Sequence, residues 1–184
     1  ERKERPLGKG FCEGWPDTPL FEAIREVTRE AGIPRPIITA DPGCAVRLSL
    51  PPFEMLNIKY CMGASIALAA GVSKGKVKER VVAACGDSSF YHTGINALID
   101  AIHHRADILV ILLDNGTTAL TGLQPHPGIP LNARGDAAPA VGARGVVPDR
   151  VPVPAAVMVM LVRYPVSVTL PAFWMKDAAR NVEL

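Results

Sequence analysis

Two uninterrupted apolar runs of strand length, Val81 to Cys85 (VVAAC) and Asp107 to Asp114 (DILVILLD), flank a segment in which Ile95, Leu98, Ile99 and Ile102 recur at helical spacing. That order leaves few folds open. A strand that is apolar at every position has no solvent face, so it must be covered on both sides, as in a parallel sheet with helices on each face. The segment from Thr93 to His104 is then the crossover helix of a βαβ unit, right-handed by the steric rule for such connections. The expected fold class is α/β, a parallel sheet sandwiched by helices.

The neighbouring segments extend this design. Asp17-Thr18-Pro19 offers a helix N-cap with proline in the first turn, and Leu20, Phe21, Ile24, Val27 and Ala31 keep helical spacing up to Gly32. Pro36 to Ala40 (PIITA) reads as a short buried strand stopped by the turn Asp41-Pro42-Gly43. Cys61 to Val72 is rich in small residues and predicts a helix seated closely on a sheet or another subunit. The stretch from Gly63 to Gly71 makes a homo- or hetero-oligomer the expectation. His103, His104 and Arg105 close the crossover helix as complements to its C-terminal dipole. From Ile129 onward Gly, Ala, Pro and Arg dominate, and Val151 to Leu170 is apolar but interrupted by Pro152, Pro154 and Pro165. The organisation expected is a lead-in over 1–16, an α/β core over 17–128 and an irregular C-terminal extension of the same domain over 129–184.

Composition excludes several function classes. A chain of 184 residues with 48% hydrophobic content supports one domain with a full core. A formal net charge of +2 is too small for a nucleic-acid or membrane-surface footprint. Ile108 to Leu113 and Val151 to Val162, the longest apolar stretches, fall short of the roughly 20 residues of a spanning helix, and the opening segment carries no apolar export signal. A soluble, cytoplasmic chain is expected, and Glu at position 1 suggests that it begins in mid-protein. Cys12, Cys44, Cys61 and Cys85 form no CxxC pair, which argues against a disulfide framework and against a sequence-local zinc or iron–sulfur site. Cys85, ending an apolar run, fits a buried thiol.

Ligands of parallel α/β sheets bind beyond the carboxyl ends of the strands. Gly86-Asp87-Ser88 follows the first apolar run and Asn115-Gly116-Thr117-Thr118 the second, so adjacent strands would bring Asp87 and Asn115 together. A carboxylate, an amide oxygen and nearby carbonyls make a hard oxygen set suited to Mg²⁺, completed by phosphate oxygens. Between Val81 and His104 stands Arg or Lys nowhere before the closing histidines. A diphosphate held there needs a metal and helix N-terminal amides to balance its charge, unlike a P-loop with its lysine. Gly86 permits the turn, Ser88 and Ser89 offer hydroxyls, and Asp87 faces the cation. Taken alone these are also ordinary turn signals.

The longer wording is more specific. GDSSFYHTGINALIDAIHHRADILVILLDNGTTALTGLQPHPG, Gly86 to Gly128, resembles the thiamine-diphosphate motif of the 2-oxoacid:ferredoxin oxidoreductases, most closely the alpha subunits of the indolepyruvate group. FCEGWPDTPLFEAI, DPGCAVRLSLPPF and CMGASIALAAG resemble upstream segments of that group, so the likeness covers about residues 6 to 128. It implies a thiamine-diphosphate-binding (PP-type) fold. It implies Asp87, Asn115 and the Thr117 carbonyl as Mg²⁺ ligands, with Gly86, Ser88, Ser89 and Thr117 around the diphosphate. Cys44 and Gly63-Ala64-Ser65 would lie towards the cofactor's rings, and His92 and His126 on the substrate side as candidate catalytic residues. The implied reaction is oxidative decarboxylation of an aryl 2-oxoacid, with electrons passing to iron–sulfur centres and ferredoxin and the acyl group to coenzyme A.

The chain also departs from that pattern. Trp15 replaces the family's second motif cysteine, Asp17 its motif histidine and Gly116 the usual arginine, and nothing after Gly128 resembles the family's closing segments. An iron–sulfur cluster is therefore expected in the complete enzyme and not in this chain. The glutamate that activates the aminopyrimidine belongs to a separate pyrimidine-binding domain or subunit, so binding without turnover is expected here. Two other readings stand beside this one: a non-oxidative thiamine-diphosphate decarboxylase or synthase, and a degenerate non-catalytic α/β assembly module. Asp87→Ala is expected to abolish Mg²⁺-dependent cofactor binding and to leave the fold intact, because Asp87 is read as a loop residue.

Overall fold

The computed structural model describes residues 17–141 and the backbone of 157–163. Helix α1 (Thr18–Glu30) follows the predicted apolar stripe, with Leu20, Phe21 and Ile24 fully buried. At about 1.5–3 kcal/mol for each such side chain, this face anchors the helix far more strongly than propensity does. Asp17 holds the N-cap position with its carbonyl accepting from Leu20 N at 3.1 Å, but its side chain makes no cap bond. Strand β1 (Ile37–Ala40) follows, then a 3₁₀ segment (Cys44–Ser49), strand β2 (Leu56–Lys59) and helix α2 (Ala64–Lys74). Strand β3 (Val81–Gly86) runs directly into a helical turn (Asp87–Ser89), a π-helical stretch (Phe90–Gly94) and helix α3 (Ile95–His103). Strand β4 (Ile108–Asp114) and strand β5 (Val157–Arg163) complete the sheet.

All pairings between the described strands are parallel and the strand order is β2-β1-β3-β4-β5. The sheet alternates with period two, as side chains on a pleated strand must. Val82, Ala84, Leu109, Ile111 and Leu113 pack with Leu20, Phe21 and Ile24 on the α1 face. Val81, Ala83, Cys85, Ile108, Val110 and Leu112 pack with Ile66, Ala69, Leu98 and Ala101 on the α2 and α3 face. Each run is apolar throughout because both faces are covered.

Four expectations need correction. Ile99 is 61% exposed, since Leu98 and Ala101 carry the buried stripe of α3 and place Ile99 off it. Gly86-Asp87-Ser88 is no loop: Asp87 opens a helical turn and is 2% exposed. The small-residue helix begins at Ala64, because Cys61 to Gly63 form the turn into it. The expected irregular tail contributes β5, which pairs with β4 from Ile108↔Val157 to Asp114↔Arg163. Its prolines flank the strand and leave VMVMLVR free to pair. Cys12 and Trp15 lie outside the described residues.

Candidate functional site

In the order β2-β1-β3-β4-β5 the chain turns outward on both sides of the β1/β3 boundary, which makes the carboxyl ends of these strands a topological switch point. A cavity of about 230 Å³ lies there. Asp41, Gly43 and Cys44 reach it from β1, Gly86, Asp87, Ser88 and Ser89 from β3, and Asn115, Thr117 and Thr118 from β4. The helical turn that starts at Asp87 presents its N-terminal residues to this space, where the backbone dipole favours an anion.

Asp87 is held by three donors. Ser88 N donates to Oδ1 at 2.7 Å, Gly116 N to Oδ2 at 2.7 Å, and His126 Nε2 lies 3.1 Å from Oδ2. Burial raises the Asp87 pKa above the ordinary 3.8, and the Ser88 amide, the His126 ring and the Gly116 amide oppose that rise. The register Gly86↔Leu113 explains the meeting: the two strands end side by side, so the amide of Gly116 reaches a carboxylate 29 positions earlier. Asn115 is exposed at the cavity edge, its Oδ1 accepting from Thr117 N at 3.0 Å.

Seven of the ten positions expected around the cofactor line the cavity: Cys44, Gly86, Asp87, Ser88, Ser89, Asn115 and Thr117. Gly63, Ala64 and Ser65 do not. Ser65 is fully buried, and its N and Oγ donate to Asp41 at 2.9 and 3.0 Å. His92 is exposed, with Nδ1 3.4 Å from Thr93 Oγ1, and lies off the cavity. His126 is 8% exposed, directed at Asp87 and not part of the cavity lining.

Asp41 and Asp17 were missed as cavity residues. Asp41 had a signal, since it follows β1 directly and strand carboxyl ends are where such sites form. Burial raises its pKa above 3.8, opposed by hydrogen bonds from Cys85, Ser65 and Gly63. Burial likewise pushes the Cys85 thiol well above its ordinary value, reinforced by the nearby Asp41 charge. Asp17 had a signal too, since it stands where the resembling family carries its motif histidine.

The cavity's own chemistry tests whether a metal and a diphosphate suit it. Among the described residues three carboxylates, Asp17, Asp41 and Asp87, line it, and no Lys, Arg or His does. A bare diphosphate would meet these carboxylates as like charge, whereas one carrying a divalent cation meets oxygen donors matched to that cation. Among the described residues no three His, Cys, Asp or Glu side chains converge as a self-sufficient metal site. The oxygen set of Asp87 and Asn115 thus suits a cation whose remaining ligands come with an anionic partner.

Residues 41–147 match the family described as thiamine pyrophosphate enzyme, C-terminal TPP binding domain. The "Indolepyruvate oxidoreductase subunit IorA" of Methanothermobacter marburgensis is 37% identical over 148 residues, 79% of this chain and 24% of that protein. That of Thermococcus kodakarensis is 39% identical over 136 residues, 67% of this chain and 20% of that protein. The chain therefore spans about a quarter of the length of these relatives. Among solved structures, a 2-oxoglutarate:ferredoxin oxidoreductase from Magnetococcus marinus, with 2-oxoglutarate, coenzyme A and succinyl-CoA bound, shares the fold at TM-score 0.55. It is 23% identical, over 76% of this chain and 49% of that one.

Proposed function

The chain belongs to the C-terminal TPP-binding domain family of thiamine pyrophosphate enzymes, and on that premise we propose that it holds Mg²⁺ and thiamine diphosphate for a 2-oxoacid:ferredoxin oxidoreductase of the indolepyruvate type. The observation that carries this reading is the buried Asp87 carboxylate, set beside the Asn115 loop in a cavity where the described residues place three carboxylates and no cationic side chain. Asp87 Oδ, Asn115 Oδ1 and the Thr117 carbonyl hold the metal. Gly86, Ser88, Ser89 and Thr117 surround the diphosphate, and Cys44 lies towards the rings.

Bound thiamine diphosphate supplies the electron sink for decarboxylating an aryl 2-oxoacid. The protein's part is to hold and orient: the strand ends fix Asp87, and the first helical turn offers hydroxyls and amides to the phosphates. A volume of about 230 Å³ is less than the roughly 300–1,000 Å³ of a complete small-molecule site. That fits a half-site closed by a pyrimidine-binding domain or subunit, with ferredoxin, coenzyme A and iron–sulfur centres engaged through other parts of the enzyme. The free thiols of Cys61 and Cys85 accord with the cytoplasm. The named relatives are oxidoreductase subunits, which favours this reading over a non-oxidative decarboxylase, and the formed cavity favours it over a degenerate module.

Calorimetric titration of the chain with thiamine diphosphate, with and without Mg²⁺, tests the site. Mg²⁺-dependent heat is expected from the unmodified protein and none from Asp87→Ala or Asn115→Ala. Unchanged affinity in both variants would place the metal elsewhere.

A further inference from the structure

The hydrogen-bond pattern at His126 assigns its tautomer. Gly128 N donates to Nδ1 at 3.1 Å, so Nδ1 carries a lone pair. A neutral imidazole with Nδ1 as acceptor has its proton on Nε2, and Nε2 lies 3.1 Å from Asp87 Oδ2. The histidine therefore donates to the carboxylate. Its ring is held in that plane by Tyr91, stacked at 5.4 Å between centroids with 19° between planes, and Tyr91 Oη donates to Val141 O at 2.5 Å. Gly128 is needed for the close approach: a Cβ there would lie 2.3 Å from Tyr91 Cε2 and 2.9 Å from His126 Cε1.

The two oxygens of Asp87 are consequently unequal. Oδ2 receives both Gly116 N and His126 Nε2, while Oδ1 receives Ser88 N. A carboxylate oxygen offers two lone-pair directions, so both on Oδ2 are taken and one on Oδ1 is left. We infer that His126 is a positioning residue: by occupying Oδ2 from a tautomer set by Gly128, it makes Asp87 a one-oxygen metal ligand through Oδ1. This rests on the proposed metal role of Asp87. Outer partners of this kind orient a ligand without touching the metal.

The test uses the full chain with Mn²⁺ as the probe, titrated in the presence of thiamine diphosphate and read by the loss of the free-ion electron paramagnetic resonance signal. His126→Phe keeps a flat ring for Tyr91 but has no donor, and binding about 10–100-fold weaker is expected, the usual effect of removing such a partner. His126→Gln places an amide N–H near the Nε2 position and is expected to restore most of the affinity. Nitrogen NMR of the metal-free, unmodified protein is expected to show His126 protonated on Nε2 and bare on Nδ1, a signature that packing alone does not set. It decides the matter should the Phe variant fail to fold. Wild-type affinity in His126→Phe, a Gln variant as weak as the Phe variant, or a proton on Nδ1 would each overturn the inference. Asp87→Asn separates the two levels. If it loses Mn²⁺ while His126→Phe does not, only the histidine's role falls; if it binds as the unmodified protein does, the metal reading falls and the inference with it.

Discussion

Asp87 shows how burial changes what a single substitution does. A loop aspartate could be removed without harm to the fold, but this one accepts from Ser88 N, Gly116 N and His126 Nε2 at 2% exposure. Asp87→Ala leaves those donors without an acceptor, at about 1–3 kcal/mol for a buried unsatisfied group. We expect its urea midpoint to fall as well as its cofactor binding, while exposed Asn115→Ala loses binding with its midpoint nearly unchanged. Equal midpoints for the two variants would contradict the bonding described. Asp41 adds a pH dependence. Its folded pKa is raised above 3.8, chiefly by burial, so the stability linked to it is complete below the unfolded value and is lost as pH rises through the folded one. Asp41→Asn keeps an acceptor for Ser65 N and a donor for Ser65 Oγ without the buried charge. Urea midpoints measured upward from pH 3.8 are therefore expected to decline less in the variant, and parallel curves would show that Asp41 does not carry the slope.

At the scale of elements, the entry to α2 is locked against the π-helical stretch. Gly63 sits at φ +78°, and a Cβ there would lie 1.9 Å from Thr93 Oγ1, the hydroxyl that donates to Met62 O at 2.9 Å. Gly71, inside the same helix, has nothing within 4 Å of a built Cβ. The two glycines should respond in opposite directions to alanine. Gly63→Ala combines left-handed strain of about 1–2 kcal/mol with overpacking of about 1–3 kcal/mol, whereas Gly71→Ala is expected to stabilise by roughly 0.5–1 kcal/mol. Chemical denaturation of both variants checks this, and a stabilised Gly63→Ala would mean that the turn and the π-helical stretch do not meet as described. Leu98 and Ile102 were legible as one side of α3, but Ile99 was not separable from them. Apolar residues in adjacent positions share a pattern and differ only in what packs on them.

Across the whole molecule, the parallel sheet brings three strand ends into one cavity, and that cavity is small for a complete cofactor site. The chain by itself is expected to bind thiamine diphosphate with Mg²⁺ and to reduce no viologen dye when given indolepyruvate and coenzyme A. Dye reduction by the purified chain alone would show that no further domain is needed. No described helix is long and apolar enough to cross a membrane.

The two apolar runs, the helix between them and the pair Asp87 and Asn115 were all legible in the amino-acid order, because burial on both faces and strand-end placement leave marks in consecutive residues. β2 was not, since Leu56–Lys59 is only half-buried in alternate positions and carries no long apolar run. β5 was not, since its pairing with β4 depends on a partner more than forty positions away. The sequence by itself determined the layered α/β fold and the placement of the strand-end segments. Tertiary structure alone decided that Ser65 turns to Asp41 and that His126 meets Asp87. Those choices come from which backbone amides and side chains converge when distant strands align, and local spacing holds no record of that convergence.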